Sequence, residues 1–185
     1  MTINSTTYTQ TGGATQNDGS LVMSPSSGTV QIQGGVFQGT GSVTGKVAVS
    51  GSGTRLTPGD SIGTLTISGS VTFGGSSGLS EELGAVGSPG TSDKLAITGN
   101  LDLSSATDQL DLSGGSAGGF YTIVTYSGTL TGIFNNVTTG YTIDYGTAHE
   151  IRVTGVPEPA TTTGGLALLS ITLLARRRSL PMQAR

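Results

Sequence analysis

Apolar and polar residues alternate with a period of two through most of the chain before Val156. The segments 65–73 and 95–103 show it best: each places Leu, Ile, Val or Phe at every second position around a central Gly, with mostly Thr, Ser, Asn or Asp between. Such alternation is typical of β-strands that bury one face. No amphipathic helical pattern precedes the C-terminal tail, so the sequence predicts an all-β body.

The alternating segments are copies of one another. Residues 95–103 repeat residues 65–73 at an offset of thirty, which aligns Gly99 with Gly69, and an earlier copy around Gly45 lies twenty-four residues before the first. Residues 30–34 are a candidate start of a further copy. Self-similarity at such periods predicts a β-solenoid, in which each coil buries its inward face against its neighbours and Gly permits the bends. A β-sandwich of antiparallel hairpins remains the alternative.

Composition changes this picture in one respect. Glycine contributes 32 of 185 residues and charged residues only 10%, far below the roughly 25% of ordinary globular domains. Gly-rich, weakly charged chains are often disordered, but disorder would not supply regular apolar alternation. We therefore expect a folded body with a thin core of Val, Ile and Leu.

The charge and the cysteine content exclude several classes of function. Before Val156 four basic side chains stand against ten acidic ones, and this acidic body argues against binding to nucleic acid. The chain has no cysteine, which excludes disulfides and Cys-ligated metal sites. We expect no cofactor and no metal.

Few residues are candidates for chemistry. His149 is the only histidine, and it lies in a polar stretch that predicts an exposed turn before the strand 151–153. A catalytic triad would need it, but no Gly-x-Ser-x-Gly motif accompanies it. Acidic side chains could bind calcium or serve as a glycosidase pair; we expect them instead to be solvated. They are Glu81, Glu82, Asp102, Asp108 and Asp111.

The last thirty residues differ from the body. A Val156–Pro159 motif (Val-Pro-Glu-Pro) precedes the uncharged stretch 160–175, which ends at three consecutive arginines. As an α-helix this stretch would span roughly 24 Å, short against a hydrocarbon core of about 30 Å. The arginines would suit the cytoplasmic side of a membrane. The expected membrane-helix residues are Gly164, Leu166, Leu168, Leu169, Ile171, Leu173 and Leu174, followed by Arg176, Arg177 and Arg178.

This tripartite tail resembles the PEP-CTERM sorting signal of Gram-negative envelopes. The resemblance implies that Val156, Pro157, Glu158 and Pro159 form the motif recognised by an exosortase-type processing enzyme. It also implies a transient helix in the inner membrane and cleavage near Pro159. The family's signal usually stops soon after its arginines, whereas here residues 179–185 follow.

The body also resembles a known family. Residues 34–45 and the Pro-Gly turn within 56–65 look like the autotransporter-associated β-strand repeat, and residues 120–134 resemble the closing region of such passengers. The likeness covers roughly 29–154. It implies an all-β, right-handed parallel β-helix on an exported surface protein, with no catalytic residues.

These expectations divide the chain into a polar N-terminal segment (1–28), a β-solenoid body (29–154) and a sorting signal (155–185). The N-terminal segment is a candidate for the first, incomplete coils of the solenoid. The opening residues lack the basic and apolar regions of a secretory signal, so we expect a truncated reading frame or a fragment of a longer protein. The predicted function is a non-enzymatic envelope or extracellular-matrix protein for structure or adhesion, with surface polysaccharide as a candidate partner. The alternatives are a carbohydrate-active β-helix enzyme and an uncleaved, membrane-anchored spacer.

Overall fold

The computed structural model describes residues 1–87 and 90–155, and all regular secondary structure in them is β. The strands are β1 (Thr2–Ile3), β2 (Thr7–Gln16), β3 (Ser20–Met23), β4 (Thr29–Gly39), β5 (Ser42–Thr44), β6 (Lys46–Val49), β7 (Arg55–Pro58), β8 (Thr64–Ser68), β9 (Val71–Phe73), β10 (Gly78–Leu83), β11 (Lys94–Ile97), β12 (Leu101–Leu103), β13 (Gln109–Gly114), β14 (Phe120–Tyr126), β15 (Leu130–Gly132), β16 (Asn136–Val137), β17 (Tyr141–Asp144) and β18 (Glu150–Gly155).

Parallel pairing organises these strands into three stacks. Stack A contains β1, β3, β5, β8, β11 and β14. Stack B contains the first half of β4 with β6, β9, β12 and β15, and stack C contains the second half of β4 with β7, β10, β13 and β16. The long strand β2 pairs along the whole of β4, so β2 and β4 join stacks B and C into one curled ten-stranded sheet.

The chain visits the stacks in the order A, B, C and then returns to A. Within the described residues it makes six such passes, and each strand pairs with the equivalent strand of the neighbouring pass. Residues 1–28 hold β1, β2 and β3, so the passes begin well before residue 29. The predicted all-β architecture with parallel strands is confirmed, and an antiparallel sandwich is excluded for this part of the chain.

The offsets of the sequence repeat match the register in which the strands pair. Leu95 pairs with Leu65 and Leu101 pairs with Val71, at the offset of thirty. At the offset of twenty-four, Ile67 pairs with Val43 and Val71 pairs with Val47. Because each of these side chains aligns with an apolar one on the next pass, the inward positions form continuous columns.

The glycines of the repeat form a column of their own, where the chain leaves stack A for stack B. A Cβ on Gly69 would lie 2.1 Å from the carbonyl oxygen of Gly45, and one on Gly99 would lie 2.6 Å from that of Gly69. Gly45 also has a φ of +139°, which favours glycine. Glycine is therefore required here because the backbones of successive passes approach too closely for any side chain.

The corner between stacks B and C is lined by small polar residues instead. Thr54, Ser77 and Asp108 each precede a strand of stack C, are inaccessible to solvent, and donate their N–H to the carbonyl three residues earlier. Their carbonyls accept N–H groups from the next pass, from Gly78 to Thr54 and from Gln109 to Ser77. The corner continues the hydrogen-bond ladder between the sheets.

The core lies inside the three stacks and is apolar. Its largest fully buried side chains are Tyr121, Phe37, Met23, Ile32, Leu56, Leu65, Ile67, Leu79, Leu95, Leu101, Leu103 and Leu110. After the sixth pass the direction changes, because β18 pairs antiparallel with β14 and β17 pairs antiparallel with β18. The Tyr145 hydroxyl, just after β17, accepts a hydrogen bond from the Phe134 amide at 3.0 Å. The hairpin thus extends stack A and is tied to the last pass.

Candidate functional site

The residues predicted to carry the sorting function lie outside the described residues. They are the motif Val156–Pro159, the apolar stretch 160–175 and the basic stop 176–178, and the predicted C-terminal helix falls on the same segment. Gly155, the last residue described, is buried at the end of β18 and accepts a hydrogen bond from the Gly118 amide. The motif therefore follows the final strand with no spacer between them in sequence.

His149 lies in an exposed turn before β18, as the sequence predicts. Its φ is +60°, its carbonyl oxygen accepts the Tyr126 amide at 3.0 Å, and its ring meets the Tyr126 ring edge-on at 5.6 Å. No serine or aspartate hydrogen-bonds to the imidazole among the side-chain bonds of the described residues. The arrangement is that of a turn residue that packs on an aromatic ring.

Three of the five singled-out acidic residues face solvent at least in part. Glu82 is exposed, Asp102 is half-buried and accepts the Ser104 amide, and Asp111 forms an ion pair with Arg55. The expectation of a solvated acidic edge holds for them. Because Asp111 pairs across the strands with a cation, its role is to join passes.

The expectation of solvation is wrong for Glu81 and Asp108. Glu81 is 1% exposed and Asp108 is fully inaccessible, and none of their carboxyl oxygens has a hydrogen bond of good geometry. Burial raises the pKa of Glu81 well above its usual range, and the nearby Asp93 carboxylate adds to the effect. Burial also raises the pKa of Asp108, while the hydroxyl and amide of Ser105 act in the opposite direction.

The sequence does carry a signal for the burial of Glu81. Leu79, Glu81 and Leu83 occupy alternate positions of β10, so Glu81 takes an inward place in an apolar series. Acidic residues are almost never fully buried unless paired. This tendency favours an outward, solvated Glu81 side chain, which is the wrong orientation. Side chains alternate between the two faces of a strand, so Glu81 must point inward where Leu79 and Leu83 do. Turning Glu81 outward would take a one-residue slip, which would expose both leucines.

The described residues hold no group of three or more His, Asp or Glu side chains arranged to bind a metal ion. An acidic groove of about 210 Å³ is open to solvent and lined by Asp60, Glu82 and Asp93 among polar and small residues. Both carboxyl oxygens of Asp93 are engaged, at 2.9 Å from the amides of Gly63 and Glu82. Asp93 therefore serves as an acceptor for the backbone in this groove.

A larger polar groove lies on the outer face of stack C. Gln109, Asp111, Asn135, Asn136 and Thr138 line it around Val137, and its volume is about 360 Å³. Amide, hydroxyl and carboxylate groups of this kind can hydrogen-bond to a polar polymer such as a polysaccharide.

Within the described residues, no helix has the length and apolar character needed to cross a bilayer.

Comparison with protein families finds no match to this chain. Among curated proteins, the chain is similar to the BmaC autotransporter adhesin of Brucella suis, with 41% identity over 80 residues. The aligned stretch covers 41% of this chain and 2% of the adhesin, so the chain matches only a small part of that protein.

Proposed function

We propose that this chain is an exported, non-enzymatic protein of the cell envelope or extracellular matrix, whose body is a right-handed parallel β-helix used for structure or adhesion. The order A, B, C on every pass supports the β-helix. Its handedness follows from the rule that crossover connections between parallel strands of one sheet are almost always right-handed.

The observation that carries the proposal is the continuous register of parallel strands through all six passes. The outward positions hold mainly hydroxyl, amide and acidic side chains. The carboxyl of Glu81, whose pKa burial raises well above its usual range, lies in the core and is 1% exposed. Similarity of part of the chain to an adhesin is compatible with a surface protein of the adhesion type.

The tail completes the proposal. An exosortase-type enzyme would recognise Val156, Pro157, Glu158 and Pro159 while the stretch 160–175 is held in the inner membrane by the arginines that follow. Since the motif directly follows β18, cleavage near Pro159 would release an intact body. The polar groove on stack C is the surface we assign to contact with surface polysaccharide.

The test is expression of the full-length gene in its host with an epitope tag between Ser26 and Ser27, which lie in an exposed turn. Cells are fractionated, and mass spectrometry determines the C-terminus of the tagged protein. A product outside the inner membrane that ends near Pro159 supports the proposal. Replacing Pro157, Glu158 and Pro159 by alanine should then leave the protein uncut, whereas replacing Thr162 and Thr163 should not.

Other outcomes identify the alternatives. A full-length product that stays in the inner membrane and retains Leu166 to Arg178 would overturn sorting in favour of an anchored spacer. Turnover of a polysaccharide by the purified body would overturn the non-enzymatic assignment in favour of a carbohydrate-active enzyme.

A further inference from the structure

Glu81 is an acid at an inward position of the core. In stack C it pairs in register with Leu112 on the following pass. It is 1% exposed, and both its carboxyl oxygens lack hydrogen-bond partners among the described residues. No groove described above reaches it. Since a buried, unpaired carboxylate is very unfavourable, the fold accommodates Glu81 only as the neutral acid.

The charged groups around Glu81 do not relieve this burial. Asp93, on the segment that returns to stack A, is the near neighbour and is itself acidic. Glu82 and the Arg55–Asp111 pair project from stack C to the outside, on the other face of the strands. Lys94 is half-buried at the start of β11 and forms no ion pair among the described residues. Ionised Glu81 would therefore have no cation to compensate it.

Glu81 lies beside the contacts that close the corner between the fourth and fifth passes. The Asp93 carboxylate accepts the amides of Gly63 and Glu82, and the Asp93 amide donates to the Glu82 carbonyl at 2.8 Å. The Gly84 amide donates to the Thr91 carbonyl. These bonds hold Thr91 and Asp93 against the end of the strand that carries Glu81.

We propose that Glu81 makes this corner a proton-controlled latch, which is closed while the carboxyl is neutral and opens locally when it ionises. Opening would separate Asp93 from the Glu82 and Gly63 amides and admit water to the carboxylate. The raised pKa of the buried group supports the direction of the switch, toward closure at lower pH. The proposal stands apart from the sorting function and holds whether or not the tail is cleaved.

Hydrogen exchange on the intact chain tests the latch. Exchange of the amides of Gly63, Glu82 and Asp93 is measured from about pH 5 to about pH 9 and corrected for intrinsic rates. In the wild type the opening constant should rise by up to about tenfold per pH unit, the slope of a single released proton. In Glu81→Gln, which has no ionisable group at this position, that rise should be absent.

Three comparisons make the result decisive. Glu82→Gln changes the exposed neighbour and should behave as wild type, and Glu81→Met replaces Glu81→Gln if the amide variant does not fold. Equal pH dependence in wild type and Glu81→Gln, or a flat profile in Glu82→Gln, would overturn the latch. Stronger protection of the wild-type corner on adding calcium at the higher pH would also overturn it, because Glu81 would then be a cation ligand.

Discussion

Arg55 and Asp111, which lie on the third and fifth passes, form an ion pair across the pass between them. The Arg55 Nε lies 2.5 Å from the Asp111 Oδ2, and the guanidinium also donates to the Gln109 side chain. Gly78, on the intervening pass, is in register with both Arg55 and Gln109 and offers no side chain to obstruct them. The pair links three passes on the outer face of stack C.

We expect this pair to contribute modestly to stability. The Asp111 side chain is 49% exposed, so a double-mutant cycle with Arg55→Ala and Asp111→Ala should give a coupling of about 0.5–1 kcal/mol in urea unfolding, falling at high salt. Asp60→Ala, which removes an exposed aspartate outside any ion pair of the described residues, should not couple to Arg55. A coupling near zero would mean that the contact is not maintained in solution.

Replacement of Gly69 by alanine should be strongly destabilising. Its new Cβ would lie 2.1 Å from the Gly45 carbonyl oxygen, so the spacing of two passes would have to change. We expect a loss of at least about 2 kcal/mol in the free energy of unfolding. Gly74→Ala is the matched control because nothing lies within 4 Å of that Cβ. If both variants unfold at the same urea concentration, the close approach of the passes is wrong.

The side-chain amide of Gln10 should contribute measurably to the stability of the fold. It is buried and donates at 3.0 Å to the carbonyls of Gly34 and Val36 on the next pass. Gln10→Leu leaves both carbonyls without these bonds, and we expect a loss of about 1–2 kcal/mol by denaturant unfolding. Gln33→Leu removes an exposed glutamine and should change stability by less than about 0.5 kcal/mol. Equal losses in the two variants would contradict the role of Gln10.

Tyr145 should make the C-terminal hairpin sensitive to alkali. Burial raises the pKa of its phenol above the ordinary value of 10.0, and the hydrogen bond from the Phe134 amide opposes this only in part. The fold therefore favours the neutral phenol. This stabilisation is complete below the pKa of the unfolded chain and is lost as pH rises through the higher pKa of the folded one.

Thermal melts at rising pH will test this titration. The wild type should lose stability above about pH 10 more steeply than Tyr145→Phe, which should in turn be less stable near neutral pH by about 1 kcal/mol for the lost bond. Tyr8→Phe, at the opposite end of the passes, is the control and should follow the wild type. Parallel curves for wild type and Tyr145→Phe would show that the phenol does not titrate in the folded hairpin.

The sequence was most informative where one repeated signal determines the structure. The offset between Leu65 and Leu95 is a direct reading of register, because apolar residues on successive passes must meet in the same column. The column of Gly45, Gly69 and Gly99 was predictable for the same reason. Alternation and periodicity are long-range signals, so they survive differences in loop length.

Other parts could not be read in this way. Strand β2 contains few apolar residues and is held chiefly by backbone bonds to β4, which leave no pattern in side chains. Thr54, Ser77 and Asp108 form a polar corner inside the fold, although their residue types suggest exposure. The antiparallel return of β18 depends on its partner, and a single strand's sequence does not specify the direction of pairing. The sorting residues from Val156 onward stay a prediction.

Backbone hydrogen bonds join each pass only to the passes next to it, and this bears on how such a gene can change. Offsets of twenty-four and thirty residues occur side by side in one molecule, so the columns tolerate different loop lengths as long as the inward positions align. Duplicating or deleting the DNA for one whole pass would bring matching columns of inward apolar residues together again. Unequal recombination between repeats can therefore lengthen or shorten this protein in single steps without passing through an unfolded ancestor.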